Sequence, residues 1–234
     1  TVSPSTLMCT TANWWTPQTV TVTGVDDSVD DGDQDTTVTV SVVAASSADA
    51  YDGVANQAVT ATTTDDDTSG YTLSTTTASV TEGGSTDTFT VVLNTEPTGT
   101  VTFDVSSADT GEATVDLAQL TFGVFNWFTP QTVTITGAND DVDDGDQDTT
   151  VTVAVDAGST DDTIYDAIAA QAVTATTVDD DTVGYTLSTT TASVTEGGST
   201  DTFTVVLNTE PTGTVALDVS SADTGEATVS PSTL

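Results

Sequence analysis

The ionisable chemistry of this chain is almost entirely carboxylate: 37 Asp and Glu residues, with no Lys, Arg or His, in 234 residues. The acids are clustered. Asp26, Asp27 and Asp31 fall in one run and Asp65, Asp66 and Asp67 in another. Asp140, Asp141 and Asp144 form a third, and Asp179, Asp180 and Asp181 a fourth. Glu82 and Glu196 each sit in a Val-Thr-Glu-Gly-Gly stretch, and Asp109 precedes a Thr-Gly turn. Like charges this dense cost stability unless they are protonated or bound to a cation. Carboxylates and backbone carbonyls in flexible loops suit Ca²⁺, which takes about six to eight oxygen ligands. Without His, and with Cys9 alone, zinc and copper are poorly served. The competing reading of the same acids is a solvated, salt-adapted surface.

Other chemistries are narrowed by the same composition. Acid–base catalysis would need two carboxylates facing each other across a cleft. These acids lie instead in repeating loops with no partner base, so the chain is expected not to be an enzyme. Nucleic acid and anionic membrane are repelled. No run of 18 apolar residues exists, so no membrane insertion is expected in this segment. A lone cysteine excludes an intrachain disulfide, and the lack of Lys excludes Lys–Asn isopeptide cross-links.

The elements that must hold these acids are repeated. Tyr71–Pro97 recurs unchanged as Tyr185–Pro211, Thr16–Val20 as Thr129–Val133, and Val29–Thr37 as Val142–Thr150. Each repeat is about the size of one β-sandwich, roughly 114 residues. Thr228–Leu234 is identical to Thr1–Leu7, which reads as a window on a longer array. Three parts are expected: 1–70 as the C-terminal half of a preceding repeat, 71–184 as a complete sandwich, and 185–234 as the N-terminal half of a following one.

Period-2 alternation of Val, Phe and Thr in 71–184 predicts seven antiparallel strands. They are A (71–81), B (87–93), C (100–106), D (113–122), E (131–137), F (149–156) and G (171–178). Phe89, Val91, Leu93, Val101, Phe103, Val105, Leu120, Phe122, Val133, Ile135, Val151 and Val153 face the expected core, with threonines outside. Strand alternation brings the A–B, C–D and E–F turns and the end of G to one pole. Glu82, then Asp109 and Glu112, then the acids of 140–146, then Asp179–Asp181 are expected there. Asp161, Asp162 and Asp166 fall at the opposite pole and are expected to face the preceding repeat's triplet. Trp14 and Trp127 are expected to plug the sandwich end. Trp15 and Phe128 beside them face outward, and Cys9 takes the core slot of Phe122.

These residues resemble a family. Val80-Thr81-Glu82-Gly83, the acidic run Asp26–Gln34 and the closing triplets Asp65–Asp67 and Asp179–Asp181 are similar to Calx-beta domains. Ala12-Asn13-Trp14 and Thr16–Gly24 look like the Calx-beta-like tandem repeats of large bacterial surface proteins. The resemblance implies all-β, tandem seven-stranded immunoglobulin-like sandwiches. It implies Ca²⁺ ligands at Glu82, Asp140, Asp141, Asp144 and Asp179–Asp181, although Gln34 and Gln147 stand where the family often has Glu. It also implies an extracellular or cell-surface location.

The function expected is a structural module of a filament or rod, stiffened by Ca²⁺ at domain poles and joints, with an axial rise of about 40 Å per repeat. Its partners are adjacent repeats or copies of itself, including completion of one half-domain by another. Two alternatives stay open: an adhesin module that contacts glycans or another cell's surface through its aromatics or Thr rows, and an acidic coat without specific metal.

Overall fold

The computed structural model describes residues 1–234, and nearly all of its regular structure is β. The first half-unit carries β1 (Val2–Ser3), β2 (Thr21–Val22), β3 (Gln34–Val40) and β4 (Gln57–Thr63). The central unit carries β5 (Tyr71–Leu73), β6 (Thr77–Thr81), β7 (Thr86–Leu93), β8 (Val101–Ser107), β9 (Ala113–Val115), β10 (Gln119–Phe122), β11 (Gln131–Gly137), β12 (Gln147–Val155) and β13 (Gln171–Val178). The last half-unit adds β14 (Tyr185–Leu187) and β15 (Val205–Leu207).

The central unit is an immunoglobulin-like sandwich of two sheets, ordered β10-β8-β12-β13-β6 and β5-β7-β11-β9. Alternation places one face of each strand inward. Phe89, Val91, Val101, Phe103, Phe122, Val133, Ile135, Val151 and Val153 are all fully buried there. Tyr71, Phe103 and Phe122 stack edge to face through the middle, at 4.6 and 6.0 Å between ring centroids. Every buried apolar residue of the chain belongs to this unit.

Two of the seven expected strands are each divided between the sheets. Strand A breaks at Ser74–Thr76, where the Thr75 hydroxyl bridges to the Thr77 carbonyl and amide. Its first part, β5, pairs with β7, and its second, β6, crosses to run parallel to β13. Strand D breaks at Asp116–Ala118. Asp116 holds β11 through its amide and its carboxylate, while the Ala118 carbonyl accepts from Val105 on β8. Alternation along a strand says which face a residue takes, but not which sheet the strand joins.

The two sheets approach closely where β11 ends. A Cβ on Gly137 would lie 2.3 Å from the Thr81 carbonyl oxygen. Gly137→Ala is expected to push β6 from β11 and destabilise the unit by about 1–3 kcal/mol, read as a lowered denaturant midpoint at unchanged m-value.

Asp162 does not face the preceding repeat as expected. It is 2% exposed and folded back into its own unit. One of its oxygens accepts from the amide and hydroxyl of Thr98, at 2.7 and 2.9 Å, and the other from the amides of Ile164 and Tyr165. These four bonds hold its carboxyl below the usual range against the opposing effect of burial. They tie the 156–170 connection to the turn at Thr98 and seat the buried Tyr165, whose hydroxyl donates to the Thr95 carbonyl.

Candidate metal centre

The parallel pairing of β6 with β13 builds the acidic pole. Thr81 lies opposite Val178, and the next residue, Glu82, donates its amide to the Val178 carbonyl. Glu82 therefore emerges beside Asp179–Asp181 at the matching step of the neighbouring strand. Carboxylate oxygens of Glu82, Asp179 and Asp181 lie within 4.8 Å of one another. A second group, Glu112, Asp140 and Asp144, meets the same limit.

Glu82 is 6% exposed, and its Oε2 is buried with no hydrogen-bond partner. Burial, then the charges of Asp140, Asp179, Asp180 and Asp181, push its carboxyl up to about 7. Glu112 is raised by burial and by Asp144, Asp109 and Asp140. Asp181 is raised by burial and by Asp141, Asp180, Asp179 and Asp140. Asp179 is partly satisfied: one oxygen accepts from Gly145, the other from Asp181. Gly145 reaches it with φ of 79°, a conformation natural to glycine. Asp140 accepts from Val142 and so shapes its own loop.

All six oxygen donors in the two groups are carboxylates, and no cationic side chain exists to neutralise them. A hard divalent cation fits that donor set. Glu82, Asp179 and Asp181 would hold it, with Asp140 and Asp180 adding negative charge alongside. Asp109 and Asp141 reach this pole but belong to neither close group. Glu112 does belong to one, and its place in the C–D turn was the sequence signal for it.

The half-units do not assemble a matching centre. Asp65 repeats the bonds of Asp179, accepting from Gly32 and Asp67, and these hold it low. Asp67 is raised by burial and by Asp65, Asp66, Asp26 and Asp27. Asp31 lines the same open trough as these acids. Glu196, the repeat of Glu82, is exposed and belongs to no close group. Cys9 and Trp14 are likewise exposed rather than in core positions, because the strands that would cover them are not beside them. In the central unit Trp127 does pack against the core, Phe128 faces outward, and Phe125 is 91% exposed.

One contact recurs between units. The Glu96 amide donates to the Ser28 carbonyl at 2.7 Å, and the Glu210 amide to the Asp141 carbonyl at 2.6 Å. Ser28 and Asp141 occupy equivalent places in the E–F loop of successive units, and Glu96 and Glu210 in the B–C turn. The joint therefore begins one residue from the candidate ligand Asp140. No helix is long and apolar enough to cross a membrane.

No protein-family model matches the chain. No curated protein matches it either. Among solved structures, WR4, a C. elegans MSP family member, aligns at 9% identity over 47% of this chain and 96% of its own, with a TM-score of 0.32. The periplasmic chaperone SfaE aligns at 13% identity over 47% of this chain and 58% of its own, with a TM-score of 0.35. Domains 4–9 of the surface layer protein SbsC align at 18% identity over 73% of this chain and 26% of their own, with a TM-score of 0.35. Likeness at this level carries no argument about what this chain does.

Proposed function

We propose that the chain is a structural segment of an extracellular, cell-surface rod, in which tandem sandwiches are stiffened by Ca²⁺ bound at the acidic pole of each unit. The observation that carries this reading is the Glu82 carboxylate, buried, without a hydrogen-bond partner and packed among Asp179 and Asp181. A buried carboxyl in that setting is stable either protonated or against a cation. At neutral pH the cation is the better solution for a cluster of this charge. The pole also carries the carbonyl of Asp141 that accepts from the next unit, so ordering the 139–146 loop orders the joint.

The test is thermal unfolding of the whole chain in chelator, in millimolar Ca²⁺ and in high NaCl. A rise in the midpoint specific to Ca²⁺ is expected. NaCl matching Ca²⁺ would leave an acidic coat without a specific metal, and sink this proposal.

A further inference from the structure

The loop that carries candidate ligands also carries the joint, and the two roles alternate along it. Asp140 and Asp144 belong to the close group with Glu112. Asp141 and Asp143 bond outward to the joint instead. The Asp141 carbonyl accepts from the Glu210 amide at 2.6 Å, and one Asp143 oxygen accepts from the Val183 amide at 2.8 Å. No glycine separates these four acids, so a shift of the joint contacts is a shift of the ligands.

The Asp143 bond also ties this loop to the other ligand-bearing segment. Val183 lies two residues beyond Asp181, which meets Glu82 and Asp179 in the second close group. The loop and that segment are linked again inside the pole. Gly145 donates to Asp179 at 2.7 Å, and the Asp179 amide donates to Asp146 at 3.2 Å. The following unit then holds both from outside. Its Asn208 amide donates to the Gly184 carbonyl at 2.9 Å, and its Glu210 amide donates to Asp141. One turn thus staples the loop to the end of the linker.

Every one of these bonds recurs at the preceding joint. Ser28 accepts from Glu96 at 2.7 Å, Asp30 from Ser69 at 2.8 Å and Gly70 from Asn94 at 2.9 Å. Gly32 donates to Asp65 at 2.6 Å, and Asp65 to Asp33 at 3.0 Å. The fit around the linker glycine recurs too. A Cβ on Gly184 would lie 2.7 Å from Asn208 Nδ2, and one on Gly70 2.9 Å from Asn94 Nδ2. The arrangement belongs to the repeat and not to one place in it.

We propose that the turn at 208–210 regulates the metal centre of the unit before it. Docked on Gly184 and Asp141, it holds the 139–146 loop and the 179–181 segment together, so a unit with its joint closed binds Ca²⁺ more tightly than the same unit with its joint open. This rests on the metal centre proposed above. The physical cause is preorganisation. Two ligand-bearing segments that are free to part must be brought together when the ion binds, and that cost lowers affinity. A turn that already holds them removes it. Linkage makes the effect mutual: an ion that prefers the closed joint closes it by the same factor.

Calcium titration calorimetry of the full chain and three variants tests this. Glu210→Pro removes the donor to Asp141 and lies outside the central unit, whose thermal unfolding in chelator is the folding control. Asp143→Ala removes the acceptor for Val183 together with one charge. Asp143→Asn removes the charge and keeps an acceptor. Glu210→Pro and Asp143→Ala are expected to raise the Kd about tenfold, the usual size of coupling between two sites. Asp143→Asn is expected to raise it less. Hydrogen exchange reads the other direction: Ca²⁺ is expected to slow exchange of the Val183 amide in the wild-type chain, and to slow it less in Glu210→Pro. An unchanged Kd in Glu210→Pro, or equal losses in the two Asp143 variants, overturns the coupling and leaves the metal centre standing. A wild-type chain that binds no Ca²⁺ overturns both.

Discussion

Asp162→Ala is expected to lose about 3 kcal/mol or more of central-unit stability, because it strips the acceptor from four donors at once. The amides of Thr98, Ile164 and Tyr165 would lose their acceptor, and Tyr165 is a buried residue. It depends on the 156–170 connection for its position. Urea unfolding followed by tryptophan fluorescence measures the loss, since Trp127 packs on the same core. The pH dependence has a definite sign. Asp162 is held below 3.8, so its contribution is present above that value and disappears as pH falls through the lower, folded-state pKa. The variant should therefore approach wild-type stability in strong acid. A variant as stable as wild type at neutral pH would show that these four bonds are offset elsewhere.

Glu82 gives the opposite slope. Its carboxyl is raised from 4.5 to about 7 in the folded chain, so the folded state holds a proton that the unfolded state releases. Metal-free stability from this group is full below about 4.5 and is lost as pH rises through about 7. Glu112 and Asp181, also raised, add slope of the same sign. In chelator the thermal midpoint is expected to fall across that window. Glu82→Gln should flatten the fall, because a neutral amide has no proton to lose. The same substitution should abolish most of the Ca²⁺ response at neutral pH. A chelated midpoint that is flat from 4.5 to 7 and identical in the two proteins would show that Glu82 carries no linked proton.

Much of this was legible in the residues. Val and Phe alternating with Thr marked the core, and all twelve residues expected inside the sandwich are buried. Strand direction brought Glu82, Glu112, Asp140 and Asp179–Asp181 to one end of the unit, because successive turns must fall at alternating poles. What alternation does not contain is the competition between sheets. Thr75 and Asp116 make side-chain bonds where their strands divide, and nothing in a period of two distinguishes them from the other Thr and Asp residues.

Asp162 was misplaced for a related reason. It sits among Asp161 and Asp166 and reads with them as one more acid facing the preceding repeat, yet the turn at Thr98 offers donors that only the folded chain brings near. Cys9 and Trp14 were assigned from register alone, and register gives a residue's slot without saying whether the covering half is beside it. The Glu96–Ser28 contact left no trace in composition, because it is made entirely by backbone.

That backbone contact has a geometric consequence for a long array. The same bond joins the same two loops, at 2.7 Å in one joint and 2.6 Å in the next, so successive joints share one backbone contact. Repeating a single rotation and translation generates a helix, so pitch and handedness are properties of the joint and not of the sandwich. A small change in angle at the Ser28 or Asp141 position, copied along the gene, would accumulate with every unit. The contour of an array built on such joints would bend or straighten while each domain stayed as it is.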